Sequence, residues 1–531
     1  MANRPLGAQI SHMLKDRGVE TIFGIPGVHN QEMYRGIEEA GLRHVLARHE
    51  QGAGFMADGY ARATGKPGVA YVITGPGLCN IMTPMAQAYS DSVPMLVLSS
   101  CLGETAAQRG QLHQMKDQEG AAAAVCDWSE TARTADAAYA LVDRALSEFA
   151  TQRPRPKHIT VPIPELEAVA HEAPATRHMA ALPIAAPEEA LAVAEMLLLA
   201  HKPIIIVGGG AIGAAATVQD VASKTGAAVI STYAGRGIVP ADYALNFGST
   251  LARAGSADII ASADLVLAVG TELSEVDLWR DSLGHEVPLI RVDLDPEVLA
   301  SDTNTERMIL TDAAQFFDAV SANVTARAEQ NRPSNWTTEG VAKTTSNWRA
   351  EIEMERPGIL PVADALRDAL PDETMIFSDM TQFAYAAKEV FPMDRPGHWH
   401  HPYGFGTLGY ALPAAIGGKI GLGDKPVIAI AGDYGFQYSL QELMVAVELE
   451  LTLPIIIWDN GKLGEIEDSM VRAQIAPNAV VQKNPNFVKL GEAYGAATAA
   501  PQSLDEFKAD VQTALQANGP TIIYVRSDIA G

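Results

Sequence analysis

Cysteine is scarce: Cys79, Cys101 and Cys126 are the only three in 531 residues, and none stands in CxxC or CxxH spacing. That excludes a disulfide framework and a structural zinc site. Long hydrophobic runs are also missing, since stretches such as Ile204-Ile-Ile-Val207 stay far below the ~18 apolar residues of a membrane span. No membrane partner is expected. Basic residues are in deficit, with 39 Lys and Arg against 64 Asp and Glu for a net charge of −25, and no basic stripe offsets it. Nucleic acid is therefore excluded as a partner. The opening Met1-Ala-Asn-Arg-Pro5 has no signal-type apolar region, which with the unpaired thiols predicts a cytoplasmic location.

What is present is a chain 47% hydrophobic and long enough for about three domains at ~100–200 residues each. Short apolar strands alternate with helical patterns almost from end to end, the grammar of α/β domains with parallel sheets. The reading is three consecutive doubly wound parallel-sheet domains, over residues 1–166, 187–325 and 358–531. Strands are predicted at 69–73 and 95–98 in the first, 204–207, 265–269 and 289–292 in the second, and 427–431, 454–458 and 521–525 in the third. An Ala/Pro-rich stretch from Leu166 to Pro187 and a polar one from Thr325 to Gly358 separate them. The first and third blocks share a strand-helix grammar suggestive of two similar domains.

Strand 204–207 runs into Gly208-Gly-Gly210-Ala-Ile-Gly213, a G-x-G-x-x-G pattern that by itself suggests a nicotinamide dehydrogenase. The next strand, Ala228 to Thr232, ends without the acidic residue that would meet a cofactor ribose. A tight strand-to-helix turn is the preferred reading, with a dehydrogenase as the alternative.

The third block is the most informative. Strand 427–431 delivers Gly432-Asp-Tyr-Gly435 at its carboxyl end, Ser439-Leu-Gln-Glu442 reads as a capping box opening a helix, and a second strand presents Trp458-Asp-Asn460-Gly461. A carboxylate and an amide oxygen at the ends of adjacent strands are hard ligands suited to Mg²⁺, and glycines admit phosphate oxygens.

These motifs resemble the thiamine diphosphate enzymes of the acetohydroxyacid synthase and pyruvate decarboxylase type, through Gly432-Asp433, Gln441-Glu-Leu443, Leu453-Pro454 and Asn460. The first block adds Phe23-Gly-Ile-Pro-Gly27, Arg48-His-Glu-Gln-Gly-Ala53, Gly59-Tyr-Ala-Arg62 and Thr74-Gly-Pro-Gly77 in the family's order. The resemblance implies a pyrimidine-binding first domain, a middle domain without cofactor and a diphosphate-binding third domain. It departs at Tyr434, where glycine is common, and at Asp459, where asparagine is. FAD is not expected, because Ser249-Thr-Leu-Ala-Arg253 and Thr271-Glu-Leu-Ser-Glu275 replace the segments associated with it.

By the same resemblance, Mg²⁺ is assigned to Asp433, Asn460 and the main-chain oxygen of Lys462. Thr381, Gln382, Gly432, Tyr434, Gly435 and Gly464 surround the cofactor, and Gly406 and Leu408 fold its two rings together. Glu50 hydrogen-bonds the pyrimidine, favouring the imino tautomer that generates the nucleophilic ylid. His113 and Gln114 are the catalytic pair of the active-site loop, intermediate between the His-His of pyruvate decarboxylases and the Phe-Gln of the synthases. Gly27, Val28, His29, Gln114, Glu465 and Ile466 lie beside the substrate. A homodimer or homotetramer with interfacial sites is implied.

The expected reaction is non-oxidative decarboxylation of a 2-oxo acid. Glu465, Glu467 and Asp468 favour a cationic, guanidino side chain. An acetolactate synthase-like carboligase is the alternative.

Overall fold

The computed structural model describes residues 4–103, 110–175, 180–301 and 305–530. Three parallel sheets carry the molecule. The first orders its strands Arg43–Leu46, Thr21–Gly24, Gly68–Val72, Met95–Cys101, Lys157–Pro162 and Trp128–Thr131. The middle sheet runs Ala228–Ser231, Pro203–Val207, Leu265–Val269, Leu289–Asp293 and Thr305–Leu310. The last runs Trp399–His400, Met375–Ser378, Val427–Gly432, Leu453–Asp459, Pro520–Arg526 and Ala497–Ala499. The three-domain α/β expectation is met, and every predicted strand falls on an observed one. The central strands are buried along their whole length, as strands covered by helices on both faces must be.

Counted in chain order within each domain, the first and last sheets have the same strand order, 2-1-3-4-6-5. Their equivalence extends to packing. Helix Glu50–Thr64 follows the second strand of the first sheet, helix Ala411–Leu422 follows that of the last, and the two lie against each other. A Cβ on Gly59 would overlap the carbonyl oxygen of Ala414, and one on Gly417 would overlap that of Met56. Each helix thus presents a glycine to the other's backbone, the close approach that only a missing side chain permits.

The Gly208–Gly213 segment forms a 3-10 turn over Gly209–Ala214 that leads into helix Ala215–Thr225. Gly208 and Gly210 fit against the backbone of Gly270, where any Cβ would collide. The glycines therefore have a packing reason of their own. This turn borders a cleft of about 820 Å³ between the domains, also lined by Arg153, Thr271, Asp293 and His398. Among the described residues, no helix is long and apolar enough to cross a membrane.

Candidate active site

In the first domain the predicted residues gather at the carboxyl edge of the sheet. Glu50 opens helix Glu50–Thr64, whose cap is the His49 side chain, Nδ1 accepting from Gln51 N at 3.1 Å. Glu50 is 9% exposed, and its Oε2 accepts a hydrogen bond of 2.9 Å from Asn80 Nδ2. Asn80 lies one turn into helix Pro76–Ser90, and a Cβ on Gly77 beside it would press on Ile73 at 3.0 Å and meet Glu50 Oε1 at 3.5 Å. Gly75 caps that helix with φ +68°, and a Cβ there would strike the carbonyl oxygen of His113. Gln118 holds the neighbourhood in place: its Oε1 accepts from Gly75 N at 3.0 Å, while its Nε2 reaches Ser99, Ser100 and Thr160. Gln114 closes its own turn, with Oε1 accepting from Gln111 N at 3.2 Å. Gly27 and Asn30 clamp a second turn through Gly27 N to Asn30 Oδ1 at 2.8 Å, which presents Val28, 60% exposed, and half-buried His29. The rings of His29 and His113 meet edge to face at 4.9 Å.

In the last domain a second set gathers at the corresponding edge. Gly432 caps helix Asp433–Ser439, with Thr381, the cap of helix Gln382–Val390, directly beside it. Asp433 is buried, and desolvation next to Asp459 pushes its carboxyl up to about 6. Asn484 Nδ2 donates to both acids, at 2.6 Å to Asp433 Oδ2 and 3.0 Å to Asp459 Oδ1. Asn460 Nδ2 donates to Gln382 Oε1 at 3.0 Å, and its Oδ1 accepts from Lys462 N at 3.2 Å. Gly464 packs on the Gln382 amide so closely that a side chain there would displace it. Gln382 Nε2 reaches Asp468 at 3.1 Å. Tyr434 stacks obliquely on Tyr438, which is 47% exposed.

Gly406 adopts φ +67° in the turn that carries half-buried Leu408. That turn is anchored twice. Asp379 accepts from Gly409 N at 2.8 Å and from Met380 N, and its burial raises the carboxyl to about 7. Across the domain boundary, Gln87 accepts from Thr407 and Asp91 from Tyr403 N and Gly404 N.

Glu465 stands in the first turn of helix Gly464–Arg472. Its Oε2 accepts from Arg356 Nη2 at 3.0 Å, and its Oε1 lies 3.7 Å from Arg472 Nη2. Ile466 beside it is 49% exposed. Glu467 pairs with Lys462.

One local reading is overturned. Ser439 caps nothing: the helix has already begun at Asp433, residues 440–442 continue as a 3-10 turn, and Ser439 Oγ is buried without a partner among the described residues. Glu442 does not reach back to Ser439. Its carboxylate, fully buried, accepts from Arg48 N at 3.1 and 3.2 Å at the entrance to the Glu50 helix. Glu442 and Asn484 are therefore structural contributors that sequence reasoning missed. Both act across long loops, and neither carries a local motif that marks the role.

The thiamine pyrophosphate enzyme N-terminal TPP binding domain matches residues 4–121, the central domain 191–320 and the C-terminal TPP binding domain 379–525. The chain belongs to the thiamine pyrophosphate enzyme family. Among curated relatives, a protein named "Probable 2-ketoarginine decarboxylase" from Pseudomonas aeruginosa is 41% identical over 531 residues, covering 98% of this chain and 93% of that protein. The acetolactate synthase isozyme 1 large subunit of Escherichia coli K12 is 28% identical over 543 residues, covering 98% and 93%. The acetolactate synthase of Arthrospira platensis is 28% identical over 543, covering 97% and 92%. Glu50 lies within the N-terminal match, and Asp433 and Asn460 lie within the C-terminal one.

Proposed function

We propose that this thiamine diphosphate enzyme is a Mg²⁺-dependent, non-oxidative decarboxylase of a 2-oxo acid with a guanidino side chain, releasing CO₂ and an aldehyde. The residues present fit the cofactor. Asp433 and Asp459 are two adjoining acids held by one amide, a hard-oxygen donor set that a divalent cation would relieve. Glycines at 432 and 464 keep side chains out of the space beside Thr381 and Gln382, and Gly435 does the same beside Asp379. In this reading Asp433, Asn460 and the Lys462 carbonyl hold Mg²⁺. Thr381, Gln382, Gly432, Tyr434, Gly435 and Gly464 receive the diphosphate, while Gly406 and Leu408 set the ring orientation. No flavin is included.

Thiamine diphosphate, when bound, supplies the electron sink that accepts the pair left by departing CO₂. The chain's own residues do the rest. Glu50, fixed through Oε2 by Asn80, would hold the pyrimidine and exchange a proton with it. His113 would donate a proton to the carbon that has lost CO₂, with Gln114 beside it. Gly27, Val28 and His29 line the substrate from the same side.

The observation that carries the substrate assignment is Glu465. This carboxylate already holds one guanidinium, that of Arg356, and keeps Oε1 in looser contact with the exposed Arg472. A substrate guanidinium displacing Arg472 makes a charge-assisted bond that an apolar side chain cannot. The identity to the Pseudomonas relative supports the same choice.

Two copies of the chain complete the site. Within one chain, the first and last domains meet through Glu442, Gln87 and Asp91, while apolar side chains at both predicted edges stay exposed: Val28 and Leu112 on one, Phe405, Tyr438 and Ile466 on the other. A homodimer or homotetramer that brings the first edge of one copy to the second edge of its partner buries them. A reducing cytoplasm suits the free thiols.

The test is to incubate metal-depleted protein with Mg²⁺, thiamine diphosphate and a panel of 2-oxo acids, following CO₂ and the organic product. Aldehyde from 5-guanidino-2-oxopentanoate is expected. Acetolactate from pyruvate would overturn the assignment, as would NADH consumption without any thiamine requirement.

A further inference from the structure

His29 and His113 come from separate loops, yet their rings touch at 4.9 Å and 72°. Three independent features mark the contact. His113 is a non-glycine residue at φ +63°, a strained conformation held by the Gly75 contact and the Gln111–Gln114 turn. The Nδ1 atoms of both rings are buried without a hydrogen-bond partner among the described residues. A buried polar atom left this way calls for an explanation, and a catalytic role is one. Finally, the Gly27–Asn30 clamp fixes the His29 turn independently of His113.

We propose that His29 is a positioning residue for His113, its ring packed edge to face against the His113 imidazole so that His113 is held in the one orientation that serves the product carbon. The proposal rests on the decarboxylase reading above. The proton leaves His113 for carbon, the carbon–proton bond forms with the pair that CO₂ left behind, and the His113 imidazole regains its proton from water. Two cationic rings in contact repel each other, so protonation of one opposes protonation of the other. Burial and His113 together hold His29 below the ordinary histidine range, and His113 is the one charged group acting on His29 among the described residues. A second imidazole thus stands next to His113 in space, although the residue that follows it in the chain is Gln114.

The decisive measurements use His29→Asn and His29→Gln, with an imidazole NMR titration of the cofactor-free full-length protein beside them. In the wild type, His29 is expected to titrate below the ordinary histidine range, and in a His113→Gln variant it should move upward because the like charge is gone. In the holoenzyme, kcat of both His29 variants should fall about 10²-fold with KM little changed. An unchanged His29 titration in folded His113→Gln overturns the proposal, as does an unchanged kcat in the His29 variants. If the wild type releases no aldehyde from any 2-oxo acid, the decarboxylase reading fails while the NMR coupling still reports on the pair.

Discussion

Glu442 offers the sharpest test of how the last domain holds the helix that Glu50 opens in the first. Its carboxylate is fully buried, and desolvation pushes it up to about 7, against an ordinary glutamate value of about 4.3. Hydrogen bonds from the Arg48 and His49 backbone N–H groups oppose this shift without cancelling it. The folded protein therefore binds this proton more tightly than the unfolded chain. The stability it contributes is full below about pH 4 and is lost as pH rises through 7, on the order of 3 kcal/mol in all. Glu442→Gln removes the titration. It also leaves one of the two buried donors without an acceptor, at a cost of about 1–3 kcal/mol. The variant should thus be less stable than wild type at pH 5 and approach or pass it at pH 8. Denaturant midpoints of the cofactor-free protein between pH 5 and 8 measure this, with amide exchange at Arg48 and His49 reporting the local opening. Parallel pH slopes for wild type and variant would refute the reasoning.

Four further outcomes follow from the geometry. Glu50→Gln should lower turnover at least 10²-fold while thiamine diphosphate still binds, as calorimetry would show; full activity would sink the proton-exchange role. Asn484→Ala leaves Asp433 and Asp459 facing each other unbridged, so Mg²⁺ affinity in a metal titration should fall about 10-fold. Gly417→Ala drives a Cβ into the Met56 carbonyl and should cost about 1–3 kcal/mol by thermal melting, whereas Gly213→Ala, with no neighbour nearer than 3.9 Å, should stay within about 0.5 kcal/mol. Glu465→Gln should raise KM for the guanidino acid more than for an uncharged 2-oxo acid, by about tenfold or more, and equal effects on both would remove Glu465 from substrate recognition.

Much of the molecule was legible before folding. Parallel strands covered on both faces must be apolar throughout, so runs such as 204–207 and 427–431 announce themselves in one dimension. Short motifs at strand ends, Gly432-Asp433 and Asn460 among them, are legible for the same local reason: a turn, its glycine and its polar side chain lie within a few residues. The Ser439–Glu442 misreading shows the limit. A capping box is a local pattern, but Glu442 faces another domain, and only packing reveals that its partner is Arg48 rather than Ser439.

The sequence by itself determined the fold class, the family and the chemical type of each site residue, because these depend on periodicity and on spacings of a few bonds. Tertiary structure alone decided which side chains meet. It set Asn484 between two acids, Arg356 on Glu465, His29 against His113 and the two glycine-bearing helices back to back. Each of these pairs is far apart in the chain, where loop closure and burial, not local preference, choose the partner.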